Sequence, residues 1–314
     1  MSSRRYLLRR VLLAVVQVGL VAVGVFALTE ALPGDAAVTI AGDQPDPAVI
    51  AALRERLGLD RPFWERLGDW MLAVLRGDLG TSLVGPRSVS EIVVTAAGPT
   101  VLLALLALVL LVPLSLLLGI TAAHHEGGRV DRVITSVTIG LYSAPEFAMG
   151  ILVVTVLAVR LGWFPPTGVG VSPLDDPAVL VLPVLVLLLR PLCSLSRLVR
   201  AGMIDAKSSA YATHARRLGI SPARIRIGHT LPNAVAPAVQ QLARTTDWLL
   251  GGVIVIEAIF VLPGLGTTLV DAVSARDIPV IQGLALVFAL TTVTVNLLAD
   301  LAAHALAPAA EVGR

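Results

Sequence analysis

Six predominantly apolar runs, at residues 11–29, 100–122, 133–161, 178–195, 234–261 and 280–307, constrain this chain more than any other feature. An α-helix needs about 20 such residues to cross the hydrocarbon core of a bilayer. Inside that core every backbone N–H and C=O must be satisfied within the protein, which helices do by themselves. The expected fold is therefore an all-α transmembrane bundle of six spans. The composition agrees: only 15% of residues are charged, against about 25% in soluble domains. Runs 133–161 and 234–261 exceed the minimum length, which fits tilted or protruding helices. Run 11–29 follows Arg4, Arg5, Arg9 and Arg10, as a secretory signal would. Its apolar stretch outlasts a signal's h-region of about 7–15 residues, so a retained anchor is expected.

Orientation follows from where Arg and Lys flank the runs. The N-terminus carries four Arg, and the connection after run two carries Arg129 and Arg132. The connection after run four holds Arg197, Arg200, Lys207, Arg216, Arg217, Arg224 and Arg226. The connection after run three has no basic residue, and that after run five has Arg276 alone. Basic segments thus fall at every second loop, which predicts both termini on the cytoplasmic side. The sequence pI is about 9.1, but the formal net charge is only +2 and the basic residues are unevenly placed, so nucleic acid is not an expected partner. One cysteine, Cys193, excludes an internal disulfide and a Cys-based metal site.

The long connection after run one is expected to fold on the outer face. Asp46 and Pro47 read as an N-cap and a first helical position, with Gly58 as the stop. Residues 63–75 form an amphipathic helix carrying Trp64 and Trp70, which suits the membrane interface. Ser88 and Glu91 have capping-box spacing and predict a short helix leading into run two.

The stretch after run four raises a different question. Residues 208–218 predict a helix whose Arg216 and Arg217 suit its C-terminal dipole. Gly219 is a helix stop, and Ser221-Pro222 opens a second short helix to about residue 229. From charge alone, this element is either an anchor on lipid phosphates or a docking element.

The order of residues narrows the choice. Tyr211, Ala215, Arg216 and Gly219, followed by His229, Leu231 and Asn233, resemble the cytoplasmic "EAA" loop of bacterial ABC-importer permeases, in the dipeptide/oligopeptide/nickel branch. Ala212, Thr213 and His214 stand where that branch commonly has Val-Arg-Thr, and Leu218 where it commonly has Lys; the generic Glu is absent. The resemblance extends along the chain. It includes the Arg-rich start at 4–10, Leu32-Pro33-Gly34-Asp35, residues 57–62, Arg76-Gly77-Asp78-Leu79-Gly80 and residues 161–165. It continues through Glu257, Phe260 and Pro263-Gly264-Leu265-Gly266, then residues 276–279, Gln282-Gly283 and residues 296–300. It implies a six-span type I importer permease with a large folded outer loop. The division is an N-terminal tail and first span (1–32), an extracytoplasmic loop with short helices (33–98), a core permease domain (99–307) and a tail (308–314).

The resemblance further implies a coupling helix within about 208–230, with Tyr211, Ala215, Arg216, Arg217, Gly219 and His229 docking on an ATP-binding subunit. Gly219 would supply a turn that costs little only for glycine. The chain has no Walker A or signature motif; it is expected to bind no cofactor, with ATP and Mg on partner subunits, and to be no enzyme. The implied partners are a second homologous permease, two ATP-binding cassette subunits or domains, an extracytoplasmic substrate-binding protein and the lipid of a bacterial cytoplasmic membrane. The implied cargo is di- or oligopeptides, with nickel complexes or another small solute as the alternative.

Four ionisable residues, Glu146, Arg190, Arg244 and Asp247, fall inside the apolar runs, where each costs about 2.5–3.5 kcal/mol on insertion scales. Glu146 follows Pro145, which predicts a kink in span three. Glu146 and Arg190 fall at similar depth and either pair with each other or line a translocation path and meet a charged cargo. Arg244 and Asp247, three residues apart, either join that path or neutralise one another. Glu257 with Pro263, Gly264 and Gly266 is expected to shape an outer gate loop. Arg276 and Asp277 either receive the binding protein or pair locally. His124 and His125, being adjacent, read as a surface pair rather than as metal ligands. A membrane enzyme would need paired groups at one depth; Glu146 and Asp247 are the only such acids and carry no supporting motif. A passive channel leaves the basic helix–Gly–helix loop unexplained.

Overall fold

The structure, a computed structural model, describes residues 3–31, 37–38, 46–56, 58–171, 173, 176–225, 228 and 230–306. The described elements are helical, apart from one isolated bridge between Thr81 and Ser88. Four helical stretches are long and apolar enough to cross a membrane: Leu7–Glu30, Val89–His124, Pro177–Ser208 and Ile278–Leu298. Two broken pairs, Arg129–Ser143 with Glu146–Arg160 and Gly251–Phe260 with Leu265–Ser274, bring the count to six if each is one span. The chain forms two compact units: residues 1–100 with 263–301, and residues 101–262 with 302–314.

In the first unit, α1 (Ser3–Glu30) is followed by α2 (Pro47–Arg56) and α3 (Phe63–Leu75). The Asp46 carboxylate caps α2 by accepting from the Ala48 N–H at 2.9 Å, and Gly58 ends the segment with φ +64. One face of α3 packs on α1 through Phe26, whose ring lies 5.5 Å from Phe63 and 5.6 Å from Trp70. Trp64, Leu72 and Leu75 on α3 are exposed. Ser88 accepts from the Glu91 N–H at 3.2 Å and starts α4 (Val89–His124). The expected short helix and span two are thus a single helix of 36 residues. At 1.5 Å per residue it runs about 54 Å, well beyond a hydrocarbon core of about 30 Å. Pro99 removes one backbone donor without ending it.

The unit is closed by α11 (Leu265–Ser274) and α12 (Ile278–Leu306). Its core gathers Val89, Ala96, Leu265, Ala272, Val280, Ile281 and Leu284. Gly283 lies so close to Val89 that a Cβ there would sit 2.4 Å from the valine Cγ1. Buried Gln282 donates to Thr29 Oγ1 at 2.8 Å, tying α12 to α1.

In the second unit, α5 (Arg129–Ser143) and α6 (Glu146–Val153, continuing as a π-helical turn Val154–Arg160) meet at a bend of 106°. Pro145 causes the break: it has no N–H to donate and drives Ala144 into an extended conformation, ψ 140°. Span three is therefore two rods at a steep angle rather than one tilted helix.

A 3₁₀ turn (Pro177–Leu180) leads into α7 (Val181–Ser208), which runs well past the expected end at 195. It is followed by α8 (Ala210–Arg217), α9 (Pro222–Ile225) and α10 (Leu231–Phe260). The core is set by Leu103, Leu111, Leu182, Leu187, Val199, Leu249, Val253, Ile256 and Phe260. Two glycines let helices approach closely: a Cβ on Gly119 would meet Val199 at 2.6 Å, and one on Gly202 would meet the Ala234 carbonyl oxygen at 2.4 Å.

Candidate coupling and translocation sites

The candidate coupling element is built on local rules. Ser209 caps α8, its hydroxyl accepting from the Ala212 N–H at 3.4 Å. Three basic residues, His214, Arg216 and Arg217, occupy the last turn, where the helix dipole favours them. Gly219, at φ +76, then takes the left-handed turn, and a Cβ there would meet nothing within 4 Å. Glycine is thus favoured by backbone angle and not by space. Ala212 and Ala215 are buried against Ile225 and Ile220. The opposite face presents Tyr211, His214, Arg217 and Leu218 to solvent. Arg216 turns back on its own chain: Nε donates to the Ala212 carbonyl at 3.3 Å and Nη2 to that of Lys207. His229 lies outside the described residues.

This element stands on a framework that sequence reading did not foresee. Arg200 on α7 donates to both carboxylate oxygens of Asp131 at the start of α5, at 2.6 and 2.7 Å. Asp131 is buried and also accepts from the Gly127 N–H at 3.0 Å. The signal was present but easily missed: an acid in a basic, short connection before an apolar run.

Around the bend of span three, Glu146 opens α6, and its Oε1 is buried with no hydrogen-bond partner among the described residues. It leans on Gly252 of α10: a Cβ on Gly252 would sit 3.2 Å from Oε1 and 3.7 Å from Oε2. Arg190 on α7 is near enough for its charge to act on the Glu146 carboxylate. The Arg190 guanidinium lies 5.1 Å over the Tyr142 ring, and Arg197 lies 4.8 Å from the same ring. The structure thus brings Glu146 and Arg190 together and adds Tyr142 and Gly252, which the sequence did not single out. Arg244 and Asp247 belong to α10, but their side chains lie outside the described residues.

Glu257 is fully buried near the end of α10. That helix ends on Val261, held in the left-handed region at φ 50, ψ 50. A β-branched residue is costly there, and it is fixed by Leu262 N–H donating to Glu257 O (3.0 Å) and Gly168 N–H to Phe260 O (2.9 Å). In the other unit, Gly264 and Gly266 are buried at the start of α11, beside an exposed Pro263. Thr100 Oγ1 accepts from the Leu265 N–H at 2.8 Å. Arg276 is exposed with φ 53. Asp277 is buried and accepts from the Ser82 hydroxyl and, at 3.1 Å, from the Leu83 N–H. Asp277 thus fastens the segment at Ser82–Leu83 to the start of α12, while the Arg276 side chain is exposed.

Among the described residues, helices with four to six candidate spans and a short capped helix ahead of α10 are the arrangement of the type I ABC-importer permease fold. The family comparisons agree. The chain belongs to the family of binding-protein-dependent transport system inner membrane components, whose model matches residues 115–312. The model of that family's N-terminal region matches residues 3–86. The chain is 37% identical to the glutathione transport system permease protein GsiC of Salmonella typhimurium over 304 residues, 97% of this chain and 98% of the relative. It is 36% identical over 299 residues to a Brucella abortus protein that carries the name of a peptide transport system permease protein, covering 94% and 95% of the two chains. A solved amino acid ABC transporter with histidines shares the fold at TM-score 0.53 and 17% identity, over 69% of this chain and 95% of the other. The chain is a multi-pass inner-membrane subunit of an ABC importer.

Proposed function

We propose that this chain is one of two homologous permease subunits of an importer for di- or oligopeptides, driven by ATP hydrolysis on partner cassette subunits. A substrate-binding protein delivers cargo on the outer face, both termini face the cytoplasm, and transport proceeds by alternating access. The observation that carries this reading is α8: Ala212 and Ala215 seat it on its own unit, while Tyr211, Arg217 and Leu218 stand exposed beside a glycine turn. Such a seated helix converts a push on its outer face into rigid-body motion of attached spans. Arg217, with His229, supplies the polar contacts of the docking face, and Arg216 braces the helix from within. Glu146, Arg190, Arg244 and Asp247 line the path, and Glu257, Pro263, Gly264, Gly266 and Arg276 shape the outer gate and the binding-protein contact. The names of the relatives, which refer to glutathione and to peptides, favour peptide cargo over nickel complexes.

Affinity purification of the tagged chain from its own membranes tests the driving step: ATP-binding cassette subunits should accompany it, and Tyr211→Ala with Arg217→Glu should release them. Uptake of labelled dipeptides, tripeptides and nickel complexes by cells with and without the gene tests the cargo. Recovery of the chain without an ATPase sinks the importer reading; uptake of nickel complexes alone corrects the cargo.

A further inference from the structure

Beneath the coupling helix lies a cavity of about 320 Å³, framed by the ends of α4 and α7, the inner face of α8, and α9. That is headgroup-sized, near the lower bound of ligand pockets, about 300–1,000 Å³. Ile120, Ala123, Met203 and Ile225 form an apolar floor. His124, Lys207 and Arg216 form the rim, and among the described lining residues there is no acid. Arg216 is held in place by its bonds to two backbone carbonyls, and its remaining N–H groups are left for an acceptor. Lys207, the one lysine of the chain, touches Glu126 at 3.4 Å in a half-exposed pair, a contact worth little in water.

We propose that this cavity binds the phosphate headgroup of an anionic phospholipid, with the first part of the lipid's apolar body on the floor. Charge complementarity and position carry the assignment. Two cations, Lys207 and Arg216, with the imidazole of His124 beside them, select an anion, and charge-assisted hydrogen bonds to phosphate oxygens are strong. His124 is the last residue of α4 and Lys207 the penultimate residue of α7. Both helices are long and apolar enough to cross the membrane, and both residues follow the apolar runs, His124 directly and Lys207 after the basic turns of Arg197 and Arg200, so the cavity lies on the basic flank of the bundle. Basic groups at such a boundary attract anionic lipid by about 1 kcal/mol each. A soluble phosphate would satisfy the rim and leave the apolar floor uncovered, whereas a phospholipid covers both. Because Ala212 of α8 also lines the cavity, a bound headgroup ties the coupling helix to the ends of α4 and α7. Binding stands independently of the proposed function; its effect on transport rests on that reading.

The test uses the full chain with the subunits that accompany it, placed in nanodiscs of phosphatidylcholine with and without phosphatidylglycerol. Lipids retained after transfer to detergent are counted by native mass spectrometry. Phosphatidylglycerol should be retained and phosphatidylcholine lost. His124→Gln with Lys207→Gln, at two exposed side chains, should leave the melting temperature nearly unchanged and lower phosphatidylglycerol retention about tenfold. Ala123→Leu, which fills the floor, should lower it as well. Equal retention of the two lipids, or retention untouched by both variants, overturns the proposal. Displacement of the lipid by millimolar glycerol 3-phosphate also overturns it, in favour of a soluble anion. If ATPase subunits co-purify while the variants leave retention unchanged, this inference fails and the importer reading stands. If no ATPase accompanies the chain, the importer reading fails and lipid retention is still measured.

Discussion

Asp131 and Arg200, 69 residues apart in the chain, form a two-pronged ion pair with Nε–Oδ1 at 2.6 Å and Nη2–Oδ2 at 2.7 Å. The fork geometry suits arginine specifically, since a lysine could reach only one oxygen at a time. The pair fastens the start of α5 to the last turns of α7, the helix that hands the chain to α8. The pair therefore joins α5 directly to the helix that leads into α8.

Asp131→Asn leaves the guanidinium without its counter-charge in a largely buried place, and removing one partner of such a pair costs about 3 kcal/mol. The detergent-solubilised protein should melt at lower temperature. Asp131→Asn combined with Arg200→Met should lose less than the sum of the single changes. Additive losses in that double-mutant cycle would show that the pair does not hold the helices together.

The contact of α7 with α10 depends on absent atoms. A Cβ at Gly202 would lie 2.4 Å from the backbone oxygen of Ala234, whereas one at Gly251 would meet nothing within 4 Å. Gly202→Ala should therefore destabilise the protein by about 1–3 kcal/mol, the usual cost of overpacking. Gly251→Ala should change stability by about 0.5 kcal/mol or less. Thermal unfolding of the two variants side by side checks the contrast.

Local chemistry was legible in the chain; partners were not. The Asp46 cap, the amphipathic α3, the Ser88 start of α4, the Pro145 break and the Gly219 turn all follow from residues within a few positions of each other. The end of α7 was misplaced because hydropathy marks the apolar slab and not the helix. Arg197 and Arg200 leave the apolar pattern yet are good helix formers, so the helix continues to Ser208. Asp131 with Arg200, Gly202 with Ala234, and Asp277 with Ser82 are pairings across long separations, and periodicity reports which face is buried without naming what covers it. The same limit applied to Glu146: its cost was readable, but its place against Gly252 was not.

Gly219 separates strain from contact. Because nothing surrounds its missing side chain, a substitution there acts through φ alone. Gly219→Val should cost about 1–2 kcal/mol locally and misdirect α9, while Gly219→Asn, which tolerates the left-handed region, should behave nearly as the parent. Co-purified ATPase and peptide uptake should fall for the valine variant and hold for asparagine, with similar melting temperatures for the bundle. Equal uptake by both variants would remove the turn from the coupling mechanism.

Glu146 sets stability against function. A buried polar atom without a partner costs about 1–3 kcal/mol, and Oε1 has none among the described residues. A folded protein gains nothing from that oxygen by itself, so a structural acid at this position would be expected to hold a hydrogen bond to it. Glu146→Leu removes that oxygen and fills similar space against Gly252. The variant should melt about as high as the parent or higher, while peptide uptake drops about tenfold, a loss of about 1.4 kcal/mol of cargo binding. Glu146→Asp, which keeps the charge on a shorter arm, should retain part of the uptake. Lower stability together with unchanged uptake in the leucine variant would instead make Glu146 a structural group of the bend, with no part in the path.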